Sequence, residues 1–271
     1  MIILILIVLG LCLGSFINAY VWRLHSKTKT GKYSKLSIWH GRSICPNCNH
    51  ILSPLDLIPI LSWIILRGKC RYCKKPISIQ YPLVELITSI LFIFSFLYWP
   101  YQFNKEGIIL FSFWLIFLLG FIILTIYDLR WKILPNNIIF PLVILALFQI
   151  ILKLVFFNFG YSLIFGSLWG ILFSAGLFYG IFIVSNGKWI GGGDVKLAIV
   201  LGLLLGGPIE AILMVFISAL IGTLISLVIM IMGKYKQGTT IAFGPMLMSA
   251  TIICYLFGPQ IINWYKSLIL R

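Results

Sequence analysis

Acidic residues are nearly missing from this sequence. There are 6 Asp and Glu against 21 Lys and Arg in 271 residues, and charged residues of both signs make up 10%. A soluble domain carries about 25% charged residues, so this chain cannot clothe a water-exposed surface in the usual way. Cysteine is scarce too, at 6, which excludes a small disulfide-stapled module. Abundant apolar residues, 61% or about 165, exclude a disordered chain. One membrane-crossing helix takes about 20 apolar residues, so there are enough for about eight such helices. By sign alone, the net charge of +15 suits a nucleic-acid binder. Its placement along the chain decides against that reading.

Residues 1–22 are uncharged up to Arg23 and lack the basic start and small-residue cleavage site of a secretory signal, so they read as a retained span. Residues 23–80 contrast with them, holding 11 of the 21 basic residues, four of the six Cys and all three His. This strip reads as a small water-facing domain, with too little core to stand unaided and a need for a staple. After Tyr81-Pro82 the apolar runs resume, with spans expected near 83–100, 107–127, 137–157, 160–184, 195–207, 209–232 and 242–264. The run 195–207 is short, about 13 residues before Pro208, and reads as a short or re-entrant helix. The expected fold is an all-α polytopic membrane protein of about eight transmembrane helices. A zinc-ribbon-like cytoplasmic domain lies between the first and second helices. The implied division is 1–22, 23–80 and 81–271.

Cytoplasmic loops of membrane proteins carry the Lys/Arg excess. With eight spans and the basic strip inside, 17 of the 21 basic residues are cytoplasmic, leaving Lys105, Lys153, Lys266 and Arg271 outside. If 195–207 does not cross, the division is 15 to 6 with the same sense. The positive charge is thus a topology signal; no nucleic-acid partner is expected, the bilayer is, and with eight spans both termini lie outside.

Cys45-Pro46-Asn47-Cys48 and Cys70-Arg71-Tyr72-Cys73 are two C-x2-C knuckles separated by 21 residues. Four thiolates in this pattern suit tetrahedral zinc in a closed, structural site. Two disulfides are the alternative, which a reducing cytoplasm disfavours. His50 is a substitute ligand or a solvated loop residue, and Cys12 and Cys254 read as inert apolar residues.

Two of the few acids, Asp128 and Asp194, lie at cytoplasmic span boundaries. Carboxylates there are costly and mark functional sites. The plainer reading pairs Asp128 with Arg130 and makes Asp194 a helix cap. Gly191, Gly192 and Gly193 leave backbone bare just before Asp194, where an extended chain can approach and pair. The dipole of the following helix favours ionised Asp194, while Asp128, without such help, is free to keep a proton. Two carboxyls within reach share one proton, so one activates water as general base while the other donates to the scissile carbonyl. No metal is needed for that proteolysis.

Tyr127-Asp128 with Gly191 to Asp194 resembles the GxGD intramembrane aspartic proteases. More narrowly, the chain resembles the bacterial type IV prepilin peptidases. That resemblance runs from Gly14-Ser15-Phe16-Ile17-Asn18 through Arg42 to Cys48, Asp56 to Pro59 and Leu66 to Cys73. It continues through Pro76-Ile77-Ser78, Tyr81 to Glu85, Asp128 to Asn136 and Gly191 to Lys196, and ends at Phe243-Gly244-Pro245. One position departs: Leu57 stands where the family usually has Asn. The resemblance implies cleavage of the basic leader of prepilins and pseudopilins, after a glycine, at the cytoplasmic face of the inner membrane, by Asp128 and Asp194. It also implies N-methylation of the new amino terminus from S-adenosylmethionine, dependent on the cytoplasmic domain.

Around the pair, Glu85 is a candidate for the substrate amine or methyl transfer, or else satisfies a helix start. Asp56 is a candidate for leader recognition, or else a turn residue. Lys196 biases the pair electrostatically or anchors the helix. Gly244 and Pro245 position substrate backbone or simply start a helix. Three other readings compete. A protease for archaeal preflagellins would generally lack the four-cysteine domain. A channel or transporter with a zinc-binding regulatory domain would place charges at mid-membrane. A non-catalytic assembly scaffold would keep the two acids apart.

Overall fold

The computed structural model describes residues 1–30, 42–157, 160–233 and 241–269. Of the features read from the sequence, Lys32, Lys35, His40, the loop from Lys234 to Gly238 and Arg271 lie outside the described residues. Among the described residues the fold is helical, with β pairing limited to isolated bridges at Ile44–Ile51 and Lys69–Pro76. The chain forms two compact units, Met1–Leu97 and Tyr98–Arg271.

In the first unit, α1 (Ile2–Thr30) packs against α3 (Gln80–Leu97), and the short α2 (Leu61–Ile65) lies in the connecting segment. Helix α1 runs on past Trp22 because no Gly or Pro interrupts it before Thr30. A Cβ at Gly10 would sit 2.5 Å from Ser89 Cα, and one at Gly14 would sit 2.7 Å from Glu85 Cα. One turn further on, the Asn18 side-chain amide donates to the Tyr81 carbonyl at 3.1 Å. Positions 10, 14 and 18 thus oppose 89, 85 and 81 in antiparallel register, with small residues admitting the close backbone approach that lipid-embedded helices rely on.

The second unit holds α4 (Lys105–Trp131), α5 (Asn136–Val155), α6 (Ser162–Ile171), α7 (Leu177–Val184), α8 (Gly192–Leu205), α9 (Pro208–Ile231) and α10 (Gly244–Ile269). A π-helical turn, Leu172–Gly176, joins α6 to α7. Among the described residues, seven segments are long and apolar enough to cross a membrane: α1, α3, α4, α5, the α6–α7 pair, α9 and α10. Helix α8 has 14 residues; at about 1.5 Å per residue it spans about 21 Å, short of the about 30 Å of bilayer hydrocarbon. It is nonetheless the most enclosed, with Leu197, Ala198, Val200 and Leu201 at 0% exposure among α5, α6, α7, α9 and α10. It stops where Gly206 turns left-handed (φ 70) and Pro208 opens α9.

Small residues again set the closest contact. A Cβ at Gly202 would lie 2.8 Å from the Gly170 carbonyl oxygen, and one at Gly170 would lie 2.7 Å from that of Gly202. The Ser174 hydroxyl, carried by the π-turn, donates to the Ala198 carbonyl at 3.0 Å, so the bulge serves the packing of α8. Gly202→Leu is expected to destabilise the second unit by about 3 kcal/mol, the upper part of the overpacking range, since a side chain here meets the Gly170 backbone as well as the Ser174 hydroxyl. Gly180→Leu is the control, because a Cβ at Gly180 meets nothing within 4 Å. Melting of the two variants in detergent checks this; equal melting temperatures would refute the packing argument.

Candidate active site

Helix α4 delivers Asp128 in its last turn and ends where Lys132 turns left-handed (φ 53), its N–H donating to the Asp128 carbonyl. The Asp128 side chain is 5% exposed. Its Oδ2 accepts the Gly244 N–H, the first residue of α10, at 3.0 Å. A Cβ at Gly244 would lie 2.6 Å from that oxygen, so glycine is what lets the helix start reach the carboxyl. The first N–H groups of a helix lack partners within it and attract negative charge. The sequence reading left Asp128 without such help; the fold supplies it from a helix 116 positions further on.

Asp194 is half-buried in the first turn of α8. The three glycines are not an extended platform throughout. Gly191 is extended (φ −74, ψ 144) and caps α8, while Gly192 and Gly193 already belong to the helix. Gly193 lets α8 settle on the turn after α4, where its Cβ would be 3.1 Å from that of Leu134. Burial, and then the negative charge of Asp128, push the Asp194 carboxyl up to about 6, against a backbone hydrogen bond at Gly191. The structure therefore brings Asp128, Asp194, Gly193 and Gly244 into one neighbourhood, knitted by Leu134, which also lies 3.6 Å from where a Gly244 Cβ would be. Lys196 turns to Asn136, donating to its Oδ1 at 3.1 Å and tying α8 to the start of α5.

The cysteines build a second centre, in the first unit. Each knuckle is a tight turn closed by the same bonds, offset by 25 residues. The Asn49 N–H donates to the Cys45 carbonyl and the Cys45 N–H to that of His50; Lys74, Cys70 and Lys75 repeat this. Asn49 (φ 57) and Lys74 (φ 58) take the left-handed conformation that each turn needs. All four sulfurs lie within 4.8 Å of one another, with the Cys45 and Cys73 Sγ atoms 3.9 Å apart. Tetrahedral zinc with bonds of about 2.3 Å separates its sulfurs by about 3.8 Å, so the cluster fits that ion. A disulfide needs about 2.05 Å, and all six cysteines are free thiols here. His50 instead stacks on Tyr72, ring centroids 3.6 Å apart.

Asp56 secures this centre. It accepts from Arg71 Nε at 2.7 Å, the Tyr72 hydroxyl at 3.2 Å and the Ser53 hydroxyl at 2.9 Å. The 3-10 turn Pro54–Leu57 is thereby fastened to the second knuckle. Burial works against ionisation of Asp56, but its bonds to Arg71 and Ser53 prevail and hold it below the ordinary carboxylate range. Glu85, 6% exposed, accepts the Ile60 N–H at 2.7 Å. Ile60 has φ 60 and ψ −52, and the Leu61 N–H donates back to the Pro59 carbonyl at 2.6 Å. This is the rare, strained form of γ-turn, which a β-branched residue adopts only under constraint. Leu134 and Asn136 lie inside a recognised motif stretch but carry no role in the sequence, and Ile60, next to Asp56–Pro59, gives no signal at all.

The class so defined is a multi-pass helical membrane protein with two carboxyls at helix termini and a separate four-thiol cluster. Residues 8–99 match the model of the bacterial peptidase A24 N-terminal domain, and residues 115–227 match that of the type IV leader peptidase family. A prepilin leader peptidase/N-methyltransferase from Bacillus subtilis (strain 168) is 34% identical, covering 98% of this chain and 98% of its own. Proteins of that name from Stutzerimonas stutzeri (31% identical, 96% of this chain, 92% of the relative) and Aeromonas hydrophila (33%, 83% and 75%) are similar to it as well. No solved structure matches. The chain belongs to the type IV leader peptidase family and is a peptidase.

Proposed function

We propose that the chain removes the basic leader from type IV prepilins and pseudopilins at the cytoplasmic face of the bacterial inner membrane, and methylates the amino terminus it exposes. The reading rests on one observation above all: Asp128, held by the start of α10, and Asp194, in the first turn of α8, stand close enough for the charge of Asp128 to act on Asp194. Below about pH 6 the pair keeps one proton, resting on Asp194. Ionised Asp128, held by the Gly244 N–H, takes a proton from water. The water oxygen attacks the scissile carbonyl while Asp194 donates to the carbonyl oxygen. Collapse of the tetrahedral diol returns that proton to Asp194 and passes the one held by Asp128 to the leaving amine. The carboxyls suffice for this chemistry without a metal.

In this reading Cys45, Cys48, Cys70 and Cys73 hold a structural zinc ion, whose bonds fold residues 42–79. S-adenosylmethionine is the methyl donor, in keeping with the N-methyltransferase named among the relatives. The Lys/Arg bias supports a cytoplasmic strip at 23–80; with α8 counted as an eighth crossing between α7 and α9, both termini lie outside, and the peptidase residues lie in the helices after 81. No nucleic acid takes part.

The pH dependence carries a definite sign. As pH rises through about 6 the pair loses its shared proton, so kcat/KM for leader cleavage is expected to fall on the alkaline side. The test is cleavage of a prepilin in proteoliposomes between about pH 5 and 8. A rate that climbs steadily across that range would refute the shared-proton mechanism.

A further inference from the structure

At the other end of the second unit, away from Asp128 and Asp194, polar side chains gather around a cavity of about 270 Å³. Its walls include Tyr101, Gln149, Lys153, Glu210 and Tyr255. Three of these are almost wholly buried, with Gln149 at 3% exposure, Lys153 at 7% and Tyr255 at 8%. The Tyr255 hydroxyl lies next to Gln149 and to the Tyr101 hydroxyl, but neither it nor the Gln149 side-chain nitrogen makes a well-formed hydrogen bond, and buried donors are costly to leave poorly satisfied. Lys153, which the sequence reading placed on an outer flank, instead ends α5 inside the fold, its ammonium 5.8 Å from the centre of the Tyr101 ring. Glu210, in the first turn of α9, supplies the one carboxylate among these walls.

Three donors and one acceptor facing one cavity define a ligand that carries both an anion and an amine. The cavity volume is several times the about 30 Å³ share of a single water. The walls are made by helix ends, namely the last turn of α5, the Gly206 cap of α8 and the start of α9, the level at which lipid headgroups sit against a spanning bundle. Ile150, Leu163 and Leu203 continue the walls as apolar surface, suited to the glycerol and acyl part of a lipid. We propose that this cavity binds the phosphoethanolamine headgroup of a membrane phospholipid. Lys153, Gln149 and Tyr255 donate to phosphate oxygens, and Glu210 accepts from the ammonium.

Native mass spectrometry of the purified full-length protein with defined lipids tests this. One phosphatidylethanolamine per chain should be retained at least tenfold better than phosphatidylcholine, whose quaternary amine has no N–H for Glu210, and better than phosphatidylglycerol, which has no amine. Lys153→Met and the pair Gln149→Leu with Tyr255→Phe should each reduce retention at least tenfold, and Glu210→Gln should abolish the preference for ethanolamine over choline. Should Lys153→Met fail to fold, Tyr255→Phe alone, which removes one hydroxyl and keeps the ring, still gives a measurable loss. Equal retention of the three lipids, or retention unchanged in these variants, overturns the proposal. Binding of free phosphoethanolamine with no lipid retained overturns the lipid assignment.

Discussion

Asp128→Asn and Asp194→Asn should each lower leader cleavage by about 10²–10⁴-fold, the range a positioned general acid or base supplies. Asparagine is the informative substitution. At position 128 its carbonyl oxygen can still accept the Gly244 N–H seen at 3.0 Å, so the end of α4 and the start of α10 keep their contact. What is lost is the exchangeable proton and the charge. Alanine would instead strand a buried N–H and confuse loss of chemistry with loss of fold. In the proposed mechanism the two groups act as one unit, so the double variant should be no slower than the slower single, because groups sharing a step are not additive. Cleavage of a prepilin in membranes, quantified with accumulation and melting temperature, is the measurement. Full processing by either single variant would refute the assignment.

The second large effect concerns the cysteines. Cys45→Ser, Cys70→Ser or stripping with a strong chelator should unfold residues 42–79. Structural zinc contributes about 10–16 kcal/mol in small domains, as much as the about 5–15 kcal/mol of net stability of a whole domain. The described part of this segment offers little in exchange: Cys45 and Cys70 are its buried apolar residues, and its one ion pair is Arg71 with Asp56. New protease-sensitive sites should appear within 42–79, while the unit Tyr98–Arg271, which carries both aspartates, retains its melting transition. Methylation of the pilin amino terminus should fall further than leader cleavage. About one zinc per chain is expected in the purified protein; its absence together with an unchanged digestion pattern would contradict the metal assignment.

Much of the candidate site was legible in the chain because its residues sit where polar residues are rare. With so few acids, Asp128 and Asp194 stood out against apolar runs, and the paired knuckles announced a four-thiolate site by spacing alone. The long spans were readable from apolar length, and the short run expected at 195–207 proved to be the enclosed α8. What stayed hidden depends on which faces meet. Gly10 and Gly14 opposite Ser89 and Glu85, and Gly170 opposite Gly202, leave no local signature of their partners. Glu85 was visible as an acid but not as the clamp on Ile60, since nothing in a run of Pro-Ile-Leu announces a γ-turn. Lys153 counted only as an outer positive charge and Glu210 drew no notice; only the fold turns both toward one cavity.

The shortness of α8 bears on which peptide bonds can be cut. A helix about 9 Å shorter than the hydrocarbon slab around it must leave recesses at its ends. One of those ends holds Asp194. A polypeptide reaching into such a recess covers about 3.3 Å per extended residue, so up to about three residues would have to leave any helical hydrogen bonding before the carbonyl meets water. Discrimination between substrates then includes the local cost of unwinding. Glycine, about 1 kcal/mol less helix-favouring than alanine, is the residue that unwinds most cheaply. A glycine before the cut would be selected for how readily it lets go of its helix as well as for its size.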